Sequence, residues 1–296
     1  MPTINSDLMR AQIKIFKPLL KRLDISAQRK LQDALGNLGA KVFSDDIVYK
    51  DEPFYNFKAS WAIPMQRYPQ NALLYLHGGG YTAGTLDYAK GFGTILADAT
   101  EISTLFIGYR LAPENRFPCA LEDAFEAYKR LLTKYEGKNI ALVGESAGGG
   151  LCYALCLKIK SESLPMPGCV ATISPWTDLT LNMPSLEKNK DKDPVLFKDD
   201  LEFFAQSYSA EKSADPLASP IFGNLSDLPP SLIYVGSSEI LLDDSLTMAK
   251  RLEEYGCECE LHEVEGMWHV FVLYGTPEAK LALKRITSFI HRHIDR

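Results

Sequence analysis

Residues 139–157 read NIALVGESAGGGLCYALCL: a short apolar run, a serine bracketed by glycines, then a second apolar stretch of helical length. Ile140 to Val143 has the composition of a buried strand, and the segment after Gly150 continues without a turn signal. Gly144-Glu-Ser146-Ala-Gly148 between them has the G-x-S-x-G form of a strained strand-to-helix turn, which lifts a serine hydroxyl off the carboxyl end of a sheet. Small residues at the bracketing positions let the backbone pass close to the neighbouring strand and helix. Ser146 then stands at a helix N-terminus, where developing negative charge is favoured. The plainer alternative is a glycine turn whose serine caps a helix. No G-K-[ST] follows, which excludes a phosphate loop.

Outward from this turn, apolar strand-like runs alternate with helix-like segments. The runs are ALLYLHGGG (72–80), STLFIGYRL (103–111), CVATISPW (169–176), SLIYVGSSE (231–239) and CELHEVEG (259–266). Helical periodicity fills 120–135, 147–163, 245–255 and 277–294. Continuous apolar strands separated by helices predict an α/β fold: a mostly parallel sheet covered on both faces. VFSDDIVYK (42–50) and FKASWAIPM (57–65) alternate more and suit antiparallel strands at one edge. Two stretches stand outside the pattern. Residues 7–38 read as a helix pair with Leu8, Ile15, Phe16, Leu19 and Leu23 on one face, and 180–212 as a charged loop with an amphipathic helix. The expectation is one domain, 1–296, with cap elements from about 1–40 and 180–212 closing over an active site; packing against the sheet is the alternative.

The composition is that of an ordinary globular protein, with 46% hydrophobic and 24% charged residues in a 296-residue chain. The net charge of −6, without a dense Lys/Arg cluster, argues against nucleic acid as a partner. Apolar runs fall short of the roughly 20 residues a spanning helix needs. MPTINSDLMRAQIKIF lacks the apolar core of a secretory signal, so the reading is a cytoplasmic protein without a membrane span. Cys152 and Cys156 are spaced as buried helical positions. Cys257 and Cys259 have no matching Cys/His pair, so no metal site is expected and buried or free thiols are the reading.

His77-Gly-Gly-Gly80 closes the run ALLYL. Three successive glycines expose backbone rather than pack, as a loop must when its N–H groups face the oxygen of a tetrahedral acyl intermediate; one such donor is worth on the order of 10²–10³ in rate. Gly79, Gly80 and Ala147 are the candidate donors, with Gly78 shaping the turn. His77, wedged between strand and loop, suits a structural role better than that of a base.

His77-Gly-Gly-Gly80, Tyr109-Arg-Leu-Ala-Pro-Glu114, Phe117-Pro118, Asp123 and Gly144-Glu-Ser-Ala-Gly-Gly149 occur in order. From about residue 70 onward the chain resembles the hormone-sensitive lipase family, the bacterial esterase branch often called family IV. The resemblance implies an α/β-hydrolase fold with a helical cap, no cofactor, and hydrolysis of short or medium acyl esters. Glu145 departs from the Asp that many members carry beside the nucleophile.

Of five histidines, His291 and His293 end a charged helix and are expected to be solvated, and His262 lies in an alternating strand. His269 follows the last strand in Gly266-Met-Trp-His269-Val-Phe271, where it can reach the serine turn. The chain order serine, acid, histidine suits the fold, and the family's terminal histidine is likewise followed by an apolar residue and Phe. The family places its acid three residues after the glycine that ends the preceding strand. In Gly236-Ser-Ser-Glu239-Ile-Leu-Leu-Asp243 that position is Glu239, with Asp243 supporting; residue type alone favours Asp243.

The expectation is therefore a carboxylesterase acting through a serine acyl-enzyme, with Ser146 as nucleophile, His269 as base and Glu239 as acid, on a small-molecule ester. An amidase, formamidase or deacetylase would use the same parts. A non-catalytic small-molecule binding protein on this scaffold would be expected to lack a triad member. Arg110 and Glu114 read as structural, Tyr81, Trp176 and Met267 as pocket lining or packing, and a homodimer through the edge strand and C-terminal helix as open.

Overall fold

The computed structural model describes residues 2–20, 24–42, 46–65 and 68–294. The apolar runs become β1 (Ile47–Pro53), β2 (Lys58–Pro64), β3 (Ala72–Leu76), β4 (Thr104–Gly108), β5 (Ile140–Glu145), β6 (Cys169–Ile173), β7 (Ser231–Gly236) and β8 (Cys259–Val264). Among the described residues they form one sheet in the order β1-β2-β4-β3-β5-β6-β7-β8. All neighbours from β4 to β8 are parallel; β2 runs antiparallel to β4, and β1 to β2. The antiparallel edge is where the alternating runs predict it, although β1 starts only at Ile47; residues 43–45 lie outside the described residues.

Buried strands present both faces to helices. On β3, Leu74 and Leu76 enter one core with residues of α4 (Cys119–Leu132), α5 (Ala147–Ser161) and α8 (Leu242–Glu254). Leu73 and Tyr75 point the other way, into a core with α3 (Leu86–Thr100) and α9 (Pro277–Ile294). Alternation of side chains along a strand produces this division. Helix α3 was not legible as a periodic segment; it is N-capped by Thr85, whose hydroxyl accepts from Asp87 N.

Among the described residues, four more α-helices lie outside this pattern: α1 (Ile4–Leu20), α2 (Ile25–Val42), α6 (Ser185–Lys188) and α7 (Lys198–Tyr208). The expected apolar face of α1 is not buried at Leu8 or Ile15, which are exposed; the side chains of Phe16, Leu19 and Leu23 lie outside the described ones. Met9 and Ile13 pack α1 against the core on the α9 side, and polar contacts add to them: Thr3 N and Ser6 Oγ donate to Glu278 of α9, and Arg10 donates to the carbonyls of Lys192 and Gly266. Helix α2 is bonded to the loops after β3 and β4. Arg29 donates to Thr82 O at 2.7 Å and Ala112 O at 2.9 Å, while Asp33 accepts from Thr85 N and Oγ1.

The order β4-β3-β5 makes β3 and β5 the place where successive connections leave the sheet in opposite directions. Ligands of open α/β sheets bind at such points, beyond the carboxyl ends of the strands. The glycine loop and Ser146 both emerge there.

Candidate active site

Ser146 lies between β5 and α5 with φ 54° and ψ −124°. For a non-glycine residue that conformation costs about 1–3 kcal/mol. It is held by three backbone bonds: Ser146 N donates to Ile173 O at 2.9 Å, and Ser146 O accepts from Gly150 N at 3.1 Å and Trp176 N at 2.9 Å. At about 1 kcal/mol each, these offset the strain. A Cβ at Gly148 would overlap the carbonyl oxygens of Leu76 and His77, so this glycine is what lets the turn approach β3. The Ser146 side chain does not cap α5. Its Oγ lies 2.9 Å from His269 Nε2, which replaces the capping alternative with a serine–imidazole pair.

His269 Nδ1 lies 3.5 Å from Glu239 Oε1, and both side chains are buried. The carboxylate calls for the proton on Nδ1, leaving Nε2 to accept from the serine. Glu239 Oε2 accepts from Ser174 Oγ at 2.7 Å and from Gly236 N at 3.0 Å. Ser174 Oγ in turn accepts from Val270 N at 3.0 Å, so one hydroxyl ties the carboxylate to the backbone beside His269. Asp243 lies elsewhere, accepting from Ser185 N at 2.7 Å. The choice of Glu239 over Asp243 as the carboxylate beside the imidazole thus agrees with the geometry.

Gly79 and Gly80 have φ of 101° and 60° and wall the same cavity as Ser146 and His269. Gly78 N is already engaged, donating to Glu145 Oε1 at 2.6 Å. Glu145, fully buried beside Ser146, also accepts from Tyr88 Oη at 3.2 Å. Burial pushes its carboxyl up to about 7, against the lowering effect of those donors. Glu145 is therefore a buried strut between the serine turn and the glycine loop, where the sequence showed only a departure from the family's Asp. His77 is structural: it stacks on Tyr109 at 4.1 Å, its Nδ1 donates to Gly78 O at 2.7 Å, and burial lowers its pKa to about 4.

The cavity, about 280 Å³, is lined on its upper side by Leu31 and Gln32 of α2 and by Leu196, Phe197, Leu201 and Phe204 from the 180–212 stretch. A Cβ on Gly80 would collide with the Phe204 ring, which places α7 directly against the glycine loop. Of three aromatic and Met candidates for lining, Trp176 contributes; Tyr81 and Met267 are buried in the cores, with Tyr81 stacked on Tyr208 at 3.8 Å. His293 is a further correction: only 8% of its side chain is exposed, and it packs on Phe289. Arg110 is bidentate to Asp123, and Glu114 pairs with Arg29. Among the described residues no cluster of His, Cys, Asp and Glu could hold a metal ion.

Fold and site define an α/β-fold serine hydrolase. The α/β-hydrolase fold family model matches residues 73–273. The chain is 35% identical to an acetyl-hydrolase of Streptomyces hygroscopicus over 268 residues, covering 89% of this chain and 87% of that protein. It is 35% identical to an esterase of Acinetobacter venetianus over 222 residues, 73% of each. A crystal structure of an esterase from the bacterial hormone-sensitive lipase family superimposes with a TM-score of 0.92 at 32% identity, covering 99% of both chains. The chain belongs to the α/β-hydrolase fold family, in its bacterial hormone-sensitive lipase branch.

Proposed function

We propose that the protein is a carboxylesterase in which Ser146 attacks the ester carbonyl, His269 takes the serine proton and returns it to the leaving alcohol, and Glu239 orients the imidazole and stabilises its charged form. The N–H groups of Gly79, Gly80 and Ala147 receive the oxyanion; water then releases the acid from the acyl-serine by the same route. The 2.9 Å approach of Ser146 Oγ to His269 Nε2, at the wall of the glycine-loop cavity, carries this reading. A cavity of about 280 Å³ suits short to medium acyl groups, and a 32%-identical relative from Pseudomonas putida is an ethyl acetate hydrolase. Cap elements from about 1–40 and 180–212 close over the site: Leu31 and Gln32 of the first and Leu196, Phe197, Leu201 and Phe204 of the second line that cavity.

A fluorophosphonate probe should label Ser146. Ser146→Ala should lose p-nitrophenyl butyrate hydrolysis by at least about 10³ in kcat; full activity in that variant would end the assignment. We assign the protein to the cytoplasm on its six free thiols, which thiol titration of freshly lysed cells can check. No helix among the described residues is long and apolar enough to cross a membrane. Self-association through β8 and α9 is the assembly we propose, to be read by light scattering.

A further inference from the structure

The inserted stretch does more than roof the cavity. Ser185, Asn189 and Asp193 recur every four residues, all three are buried, and all three grip the loop that carries Glu239. Ser185 Oγ donates to Ile240 O at 2.8 Å and accepts from Asp243 N at 3.0 Å. Asn189 Nδ2 donates to Glu239 O at 2.9 Å and Ser237 O at 3.2 Å. Asp193 Oδ2 accepts from Ile240 N at 3.0 Å, while its Oδ1 accepts from Val195 N at 2.8 Å and Leu196 N at 3.2 Å. Asp193 therefore joins the cavity wall at Val195 and Leu196 to the peptide immediately after Glu239.

Its charge matters as well as its bonds. Burial raises the Asp193 carboxyl, and His269 is the leading group that pulls it back, with Glu239 opposing. Tyr274, half-buried on the turn after His269, interacts with the same carboxylate. Lys192, next in the chain, turns its ammonium to Asn189 Oδ1. Glu239 meets the imidazole at 3.5 Å with its other oxygen fully used by Ser174 and Gly236. A second carboxylate within electrostatic reach of the ring adds to what that one contact supplies.

Resting on the assignment of Ser146, His269 and Glu239, we propose that Asp193 is a positioning residue for ester hydrolysis. Its carboxylate holds the Ile240 peptide so that Glu239 faces His269, and it keeps a second negative charge within electrostatic reach of the imidazolium that forms during acylation. The inserted stretch is then part of the catalytic apparatus as well as its roof.

The test uses the whole enzyme with Asp193→Asn and Asp193→Glu, after circular dichroism has shown each to be folded. D193N should lose about 10- to 100-fold in kcat for p-nitrophenyl butyrate with KM changed by less than about threefold. Fluorophosphonate labelling of Ser146 should slow in parallel. The acidic limb of its kcat/KM profile should move to lower pH, because the imidazolium has lost a favourable charge. D193E keeps the charge but displaces the acceptors, so kcat should fall while the acidic limb stays. An unmoved acidic limb in D193N, or a loss confined to KM, overturns the proposal. Should D193N not fold, D193E decides: wild-type kcat there overturns it. Absence of Ser146 labelling in the wild-type enzyme would instead defeat the underlying triad assignment.

Discussion

Glu239 accepts from Ser174 Oγ and Gly236 N through one oxygen and leaves the other for His269, whereas Asp243, at the start of α8, accepts from the backbone of Ser185. These surroundings predict different losses. Glu239→Gln should cost about 10³–10⁴ in kcat, as amide-for-carboxylate changes do in such triads. Asp243→Asn should keep kcat within about threefold and lower Tm by roughly 2–4 °C, the worth of one capping interaction; equal kinetic losses in the two variants would refute the distinction. Glu145 makes a separate prediction. Its folded pKa of about 7 exceeds the ordinary 4.5, so its contribution to stability is complete below about pH 4.5 and is lost as pH rises through 7. Glu145→Gln, which can still accept from Gly78 N, should therefore show a smaller fall of Tm between pH 5 and pH 8 than the wild type. Identical Tm profiles would contradict the raised pKa.

At the scale of elements, α7 and the glycine loop determine the shape of the cavity. Phe204 occupies the space a side chain at Gly80 would need, and it lines the cavity. Truncation by Phe204→Ala enlarges that space without touching Ser146, His269 or Glu239. Each methylene accommodated in an apolar pocket is worth about 1–3 kcal/mol, so kcat/KM for octanoate relative to acetate should rise about tenfold or more across a p-nitrophenyl ester series. A ratio that does not change would place the acyl chain elsewhere. Helix α2 grips the other side of the site through Arg29 and Asp33. In the sequence its side chains were visible only as the second half of a helix pair read over 7–38.

Across the whole molecule, two stretches outside the regular α/β alternation are bonded to loops around the site: α2 to the segment after the glycine loop and to Ala112, residues 185–193 to the loop bearing Glu239. A roof attached in this way does not swing free. Hydrogen exchange should find Val195, Leu196 and Ile240, whose N–H groups all end on the buried Asp193, protected nearly as well as the interior of β7. Exchange as fast as at the chain termini would show a mobile lid instead. The sheet, its antiparallel edge, the serine turn, the glycine loop and His269 were legible in the sequence. Each is written in local terms: a run of apolar residues, a glycine where backbones touch, a histidine one loop beyond the last strand. Glu239 needed a family pattern, because Asp243 is chemically as suitable and only the fold shows that its carboxylate serves Ser185. The roles of Ser174, Asp193, Asn189 and Glu145 came from tertiary structure alone. A polar residue every four positions in a charged stretch looks the same whether it faces water or a buried carbonyl, and only packing against a distant loop decides which.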